Sequence, residues 1–230
     1  MWLEAGAAAA LAAWAVRGRS SSVFAHSVYK GVTGRRSVAL TFDDGPSEST
    51  VRLLDILDRF QARATFFQIG QQAARLPEIA RQVSLRGHEI GNHTYTHAIA
   101  LLPGLEREIA LCQTALASIH GAPPRLFRAP YGVRWFGLRN AQRRHGLLGV
   151  MWTAIGLDWK LPSEKVVSRL MSDVAPGSIL CLHDGRELSV RPDVTVTLKS
   201  AEEVLRRLRD SGYQFETVSE ILCPMNSRSE

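Results

Sequence analysis

The feature that most constrains the fold of this chain is an even alternation of short apolar runs with amphipathic stretches after residue 36. Short apolar runs bounded by turn residues predict strands, whereas apolar residues at helical spacing predict helices. We predict seven strands, at residues 38–42, 64–69, 89–92, 126–128, 149–154, 178–183 and 214–218. The helices predicted between them span residues 48–60, 77–86, 105–119, 137–145, 163–174 and 198–210.

Strands that alternate with helices over short connections predict a parallel sheet, which is either open and doubly wound or closed into a barrel. Polar residues follow the ends of five different predicted strands, namely Asp43, His93, Arg128, Asp158 and His183. A barrel builds its site from the loops of several strands, whereas an open sheet concentrates its ligands at one switch point. The sequence therefore predicts an α/β fold with a closed parallel barrel.

The length and pattern of the chain predict one domain. At 230 residues the chain can bury one well-formed core, and no repeat or low-complexity linker interrupts the pattern. The predicted divisions are an N-terminal apolar segment and linker at residues 1–35, a catalytic domain at 36–222 and a C-terminal tail at 223–230.

The N-terminal apolar run from Ala5 to Val16 admits two interpretations. It could be an export leader or a membrane anchor. However, it is shorter than the roughly 20 residues that a spanning helix needs, and Glu4 stands where basic residues usually precede a signal segment. A helix that extends from the domain explains the run equally well.

Cysteines and charge exclude some classes of protein. Cys112, Cys181 and Cys223 are far apart, which indicates neither a disulfide framework nor a thiolate zinc site. The net charge of +6 suits an anionic partner such as a cell-wall polymer or a membrane surface. The arginines are scattered without interleaved aromatic residues, so we expect no nucleic-acid partner.

Adjacent carboxylates at Asp43 and Asp44 follow the first predicted strand and precede Gly45 and Pro46. Two such groups repel each other and are costly to remove from water, so they need a cation or hydrogen-bond donors nearby. The alternative is a turn in which one aspartate caps the next helix. The doubling of the carboxylate favours the metal interpretation.

Two histidines, His93 and His97, are spaced four residues apart, which would place both imidazoles on one side of a helical turn. Such a pair also arises by chance, but together with Asp44 it makes the open three-ligand set of a catalytic metal. With one carboxylate and no nearby cysteine, zinc is the first choice, and cobalt, manganese or nickel are alternatives.

Three further polar residues are candidates for the same site. Arg128 ends a strand, and a buried arginine needs a carboxylate partner, so we predict a pair with Asp43. His183 ends a buried strand, where a histidine is often only a hydrogen-bonded core residue. A hydrogen bond from one ring N–H of His183 to Asp158 would raise the pKa of His183 and leave its other nitrogen to act as an acid.

The segment 36–222 resembles the polysaccharide deacetylases of carbohydrate esterase family four, the nodulation-type chitooligosaccharide deacetylase domain. The motifs that carry the resemblance are TFDDGP at residues 41–46 and HTYTH at 93–97, followed by FRAPYG at 127–132, LDW at 157–159 and CLH at 181–183. The resemblance implies a distorted (β/α) barrel with fewer than eight complete units, in agreement with about seven parallel strands.

The resemblance also implies roles by position for a metal-dependent hydrolase that removes acetyl groups from N-acetylated sugars. Asp43 would be the general base, oriented by Arg128, and His183, tuned by Asp158, would be the general acid. One divalent ion would be bound by Asp44, His93 and His97. The substrate-binding set would comprise the backbone N–H of Tyr131 for the oxyanion, Trp159 for the acetyl pocket, and Leu182.

One position departs from the family. Two residues before the acid histidine the family usually has a leucine that lines the acetyl pocket, whereas this chain has Cys181. Because cysteine is smaller, this substitution opens the identity of the acyl group to question.

Rival functions stay open within the same fold. One is hydrolysis of an O-acetyl ester on a xylan-type glycan or of a small amide, and another is glycan binding without catalysis. The resemblance implies an acetylated oligosaccharide or polysaccharide as substrate and a location outside the cytoplasm, secreted or attached to the membrane through the N-terminus. The sequence leaves the oligomeric state open, with a monomer as the expectation.

Overall fold

A computed structural model describes residues 2–32, 34–100, 103–186 and 188–223. The helices are α1 (Trp2–Arg17), α2 (Thr50–Arg59), α3 (Gly70–Arg75), α4 (Pro77–Leu85), α5 (Leu105–His120), α6 (Leu138–His145), α7 (Ser163–Met171), α8 (Thr195–Asp210) and α9 (Val218–Leu222), with a short 3-10 helix at Pro130–Gly132. The strands are β1 (Ser27–Val28), β2 (Ser37–Asp43), β3 (Ala64–Gln68), β4 (Glu89–Asn92), β5 (Leu126–Phe127), β6 (Leu148–Val150), β7 (Ala154–Ile155), β8 (Ile179–His183) and β9 (Gln214–Phe215).

The strands form one parallel sheet in the order β1-β6-β5-β4-β3-β2-β8-β7, and β9 pairs with the beginning of β2. Only residues 151–153 separate β6 from β7, yet β6 pairs with β5 and β7 pairs with β8. This one segment therefore links the two sides of the sheet and curls it into a distorted barrel. The predicted α/β barrel is confirmed, with eight strands in the main order where about seven were predicted.

Alternation along the strands separates two apolar layers. Ala39 of β2 and Ile179 of β8 face the barrel interior, where Phe67 and the apolar residues of α9 complete a small core. The intervening residues, such as Leu40 and Leu182, face outward and form the largest core with α2, α7 and α8. Because successive strand side chains point to opposite faces, the last inward-facing positions of β2 and β8 are Asp43 and His183.

Some predicted elements differ from the structure. The predicted strand 149–154 bends, so it appears as β6 and β7. The predicted strand 214–218 ends after Phe215, because Thr217 and Glu220 form a capping box that begins α9. Sequence analysis missed β1 and α3, both too short to show a clear period.

The N-terminal segment is built onto the barrel. β1 pairs with β6, so the sheet begins at Ser27, ahead of the predicted domain boundary at residue 36. Within α1, the residues from Gly6 to Trp14 are exposed. Among the described residues, no helix combines the length and the apolar character needed to cross a bilayer. Apart from Cys223, the predicted tail at 223–230 lies outside the described residues.

Candidate active site

The register of β2 and β8 places two titratable groups side by side. Asp43 is paired with His183, and two residues earlier Thr41 is paired with Cys181, all on the inward face. Asp43 is 3% exposed and ends its strand. The candidate base and the candidate acid therefore share one edge of the barrel because of backbone pairing alone.

Arg128 reaches the same point from the end of β5. Its side chain is fully buried and donates 2.7 Å hydrogen bonds from Nη1 to Asp43 Oδ1 and to Thr41 Oγ1. Its guanidinium lies 4.1 Å from the ring centre of Phe67. This is the Asp43 contact that sequence analysis predicted, and it holds the carboxylate in one orientation through a charge-assisted bond.

Asp44 enters the site because the backbone leaves the strand at that residue. Its φ is 72°, in the left-handed region that a non-glycine residue rarely adopts. Consecutive strand residues would point to opposite faces, so this turn is what brings the second carboxylate to the same edge as Asp43. His97 and Tyr131, with φ of 60° and 59°, are strained in the same way. Such strain often gathers at functional sites.

The predicted helical turn at residues 93–97 is wrong. Thr94 and His97 both have positive φ, so the segment is a loop. The carboxylate of Glu108 holds the loop by accepting bonds from the backbone N–H of Tyr95 at 3.1 Å and from the N–H and hydroxyl of Thr96 at 2.7 and 3.0 Å. The two imidazoles still converge, because the loop folds back on itself.

Three atoms meet in a way that suits a cation. His93 Nε2 and His97 Nε2 lie 3.3 and 3.1 Å from Asp44 Oδ1, which is buried and has no hydrogen-bond partner among the described residues. His93 Nδ1 lies 2.8 Å from the carbonyl of Arg128. Because a carbonyl only accepts, Nδ1 carries the proton and Nε2 presents a lone pair to Asp44. Lone pairs that face each other at this distance need a positive charge between them, so the residues fit a divalent metal.

The pKa shifts agree with this interpretation. Burial, reinforced by His93, lowers the pKa of His97 to about 4, so its imidazole is neutral near pH 7. Burial disfavours the charged form of Asp44, but the adjacent His93 and His183 outweigh it and lower the pKa to about 2. Asp44 is therefore a carboxylate and His97 a neutral imidazole at neutral pH, and these are the forms that bind a metal.

The pKa of His183 is shifted in the opposite direction from that of His97. Burial alone would lower its pKa, but Asp158 accepts a bond from Nδ1 at 2.8 Å and raises the pKa to about 9. Asp158 is itself fixed, since its other oxygen accepts bonds from the backbone N–H of His183 at 2.9 Å and from Thr197 Oγ1 at 2.6 Å. His183 is therefore protonated at neutral pH, and its Nε2 is left to donate.

One cleft of about 460 Å³ is lined by Asp43, Asp44, His93, His97 and His183. The exposed rings of Tyr131 and Trp159 flank its opening. Tyr131 lies 4.7 Å from the ring of His97, and Trp159 meets His183 edge to face at 4.6 Å. The remaining apolar lining is supplied by Ala129, Trp152, Ile155 and Leu157. The cleft thus places the candidate metal site, the candidate base and the candidate acid beside two aromatic rings.

Comparison with known proteins identifies the family. The description of the family named polysaccharide deacetylase matches residues 30–150. This chain belongs to the polysaccharide deacetylase family. A chitooligosaccharide deacetylase of Azorhizobium caulinodans is 41% identical over 197 residues, which cover 78% of this deacetylase and 91% of that protein. The crystal structure of the Bc1960 peptidoglycan N-acetylglucosamine deacetylase is 26% identical, with a TM-score of 0.78 and coverage of 87% and 94% of the two chains.

The same fold also occurs in a CE4 family pseudoenzyme from Bacillus anthracis. That structure is 23% identical, with a TM-score of 0.76, and the match covers 86% of this deacetylase and 69% of that chain. Because the fold can persist without activity, the chemistry of this deacetylase has to be argued from its own side chains.

Two residues occupy other places than sequence analysis expected. Leu182 is fully buried in the outer core, on the strand face opposite Cys181 and His183, and the substrate-binding role assigned to it is therefore not retained. Cys181 is also fully buried and faces the interior beneath Asp43, with Sγ 3.5 Å from Asp43 Oδ2. It does not line the cleft, so its small size does not widen the acetyl pocket directly.

The structure adds cleft residues that sequence analysis missed. Trp152 and Ile155 lie where the bent β6–β7 segment crosses the barrel, and a single continuous strand had been predicted there. Arg17 comes from the end of α1 and Arg186 from the loop after β8. The sequence gives no local signal for Arg17, since its place depends on contacts more than a hundred residues away.

Proposed function

We propose that this deacetylase hydrolyses the acetamido group of N-acetylated sugars of the chitooligosaccharide or peptidoglycan type. The observation that carries the proposal is the pairing of Asp43, held by Arg128, with His183, charged through Asp158, across one register of β2 and β8. A base and a protonated acid on either side of one amide are what its hydrolysis requires. The names of the relatives support the same substrate classes.

The metal site completes the chemistry. A divalent ion, with zinc as the first choice and cobalt, manganese or nickel as alternatives, would be held by Asp44, His93 and His97 and would supply Lewis acidity for the acetyl carbonyl and a lowered pKa for bound water. Two imidazole nitrogens and one carboxylate oxygen make a donor set that suits zinc.

The chain's own residues perform the proton transfers. The carboxylate of Asp43, which Arg128 holds through Oδ1, takes a proton from the water that attacks the acetyl carbon. The backbone N–H of Tyr131 stabilises the negative charge that develops on the carbonyl oxygen. His183 Nε2 then gives its proton to the departing nitrogen, the carbon–nitrogen bond breaks, and acetate and a free amine are the products. The walls formed by Tyr131 and Trp159 hold the sugar and limit access of bulk water.

The test is acetate release from a panel of substrates with each of the four metals. Chitooligosaccharides and peptidoglycan fragments should release acetate, and chelation should abolish the release reversibly. Faster release from acetylxylan or from a simple amide would support the rival hydrolase instead. Glycan binding by metal-loaded protein without release from any substrate would support the non-catalytic alternative.

Two variants separate the proposed roles. Asp43→Asn should keep the metal but lose about 10²- to 10⁴-fold in turnover, the usual value of a general base. His93→Ala should lose the metal itself, as measured by metal content after dialysis. An Asp43→Asn protein that turns over at nearly the parent rate would remove the base assignment.

We also propose that the protein acts outside the cytoplasm, where peptidoglycan or chitooligosaccharides are found, and that the exposed apolar helix α1 attaches it to the membrane. Fractionation of cells that express the full chain tests this. Recovery of the protein in the cytoplasmic fraction alone would contradict it.

A further inference from the structure

Two guanidinium groups in the cleft have no part in the proposed reaction. Arg17 and Arg186 both line the cleft, and neither forms an ion pair with a carboxylate among the described residues. Arg186 Nε is buried without a hydrogen-bond partner in that part of the chain, and Nη2 has only a 3.5 Å contact with the carbonyl of Asp158. A buried donor without a partner is costly, so a ligand that accepts a hydrogen bond from this group would be favoured.

Arg17 is held at the cleft by a built structure. Its Nη2 donates to the carbonyl of Tyr131 at 3.2 Å. The end of α1 is docked by Arg134, which is 1% exposed, donates from its backbone N–H to Val16 at 3.0 Å and donates from Nη1 to the carbonyl of Ser21 at 2.7 Å. These hydrogen bonds from the buried Arg134 fix the end of α1 and so determine the position of Arg17.

The carboxylates of the cleft do not account for these two arginines. Asp43 is paired with Arg128, and Asp158 is paired with His183. Asp44 has the two imidazoles and fits the metal site. Each of these charges therefore has its own partner. Arg186 forms no ion pair but has an electrostatic interaction with the exposed carboxylate of Asp193.

We propose that Arg17 and Arg186 bind a carboxylate carried by the substrate, so that the acetylated glycans preferred by this site are acidic ones. The planar guanidinium fork matches a carboxylate better than it matches a sugar hydroxyl. Arg17 lies before the segment 30–150 that matches the family description, at the end of the N-terminal helix α1. This inference rests on the proposed function and specifies the substrate of the same site.

The substrate carboxylate could be at either of two positions, which the experiment distinguishes. It is borne either by the acetylated sugar itself, as a lactyl ether, or by a neighbouring uronic acid. Kinetics are measured on three oligomers of equal length: a neutral N-acetylglucosamine oligomer, one that contains N-acetylmuramic acid and one with an adjacent uronic acid. The acidic oligomer that is preferred identifies the position of the carboxylate.

The variants are Arg17→Gln and Arg186→Gln, with Arg143→Gln as the control. Arg143 is an exposed arginine of α6 that lies outside this cleft, and its substitution removes the same charge. Each cleft variant should lower the ratio of kcat/KM for the preferred acidic oligomer to that for the neutral one by roughly 3- to 30-fold, mainly through KM. The control should keep the parent ratio, and added salt should reduce the preference.

An unchanged ratio in both cleft variants, or an equal loss on the acidic and neutral oligomers, would overturn the inference. Calorimetric binding of the same oligomers distinguishes this failure from that of the proposed function. If no oligomer releases acetate, the proposed function fails. In that case, tighter binding of an acidic oligomer that is lost in Arg17→Gln and Arg186→Gln would still support the carboxylate site. Equal binding of the acidic and neutral oligomers by the parent would refute the carboxylate site.

Discussion

Replacing Arg128 by methionine should cost much of the stability of the barrel because it leaves a buried charge without its partner. Arg128 and Asp43 are 0% and 3% exposed, and their charged atoms are 2.7 Å apart. Methionine keeps an apolar chain against Phe67 but removes the bonds to Asp43, to Thr41 and to the carbonyl of Met151. The dominant loss is therefore electrostatic.

The magnitude follows from the burial of the pair. Removing one member of a buried ion pair typically costs about 3–5 kcal/mol. For a protein of this size, 1 kcal/mol corresponds to about 2–4 °C in Tm, so Tm should fall by roughly 6–20 °C. Asp43→Asn should cost less, since asparagine still accepts a bond from Arg128. When Asp43 is already asparagine, Arg128→Met no longer leaves an unpaired buried carboxylate. The double variant should therefore lose about 1–3 kcal/mol less free energy of unfolding than the two single losses added together.

The assay is urea unfolding of the parent, the two single variants and the double variant, each metal-free in chelator at pH 7. Fluorescence and circular dichroism should give coincident transitions, which is the condition for using the free energies of unfolding. If the two losses add to within about 0.5 kcal/mol, the reasoning is refuted, because charge compensation between Arg128 and Asp43 would then not be what Arg128 contributes.

Three further predictions test separate parts of the site. Asp158→Asn removes the carboxylate that raises the pKa of His183. Because His183 must be protonated to act as an acid, the alkaline limb of the pH–rate profile should move to lower pH in this variant. In the parent, activity should fall at or below about pH 9, since a bound cation would offset the effect of Asp44 on the pKa of His183. An alkaline limb at the same pH in the variant and the parent would contradict the acid assignment. Glu108→Gln loosens the metal-binding loop, so metal affinity in a chelator competition should fall about 10- to 100-fold, while unchanged affinity would mean that the loop is fixed elsewhere. Leu182→Ala should lower the free energy of unfolding by about 2–5 kcal/mol and leave KM unchanged, whereas a raised KM without loss of stability would restore its substrate-binding role.

The barrel edge that carries the candidate base and acid was predictable because its strands are apolar runs that each end at a titratable residue. Asp43 and His183 each follow a buried run, and parallel strands bring such ends together. Their register was not predictable, since pairing is set by contacts between distant strands. Leu182 shows the consequence: its neighbour His183 lies in the cleft, but the two-residue period of the strand turns Leu182 to the opposite face.

The histidine pair shows that correct partners can be inferred from an incorrect backbone. A spacing of four residues predicted that His93 and His97 converge on Asp44, and they do, but on a loop with positive φ at Thr94 and His97. A helical turn would need no outside support. The loop instead is held by Glu108 of α5, so we expect the affinity of the proposed metal site to depend on the docking of that helix.

The N-terminal segment marks where local reasoning ends. Its composition allows a leader, an anchor or a plain helix, and nothing in residues 1–35 alone indicates that Arg17 stands in a cleft built by later strands. Arg134, 116 residues beyond Gly18, determines this placement through a buried guanidinium whose acceptors are backbone carbonyls and therefore leave no side-chain pattern. A contact of this kind can be found only once the chain is folded.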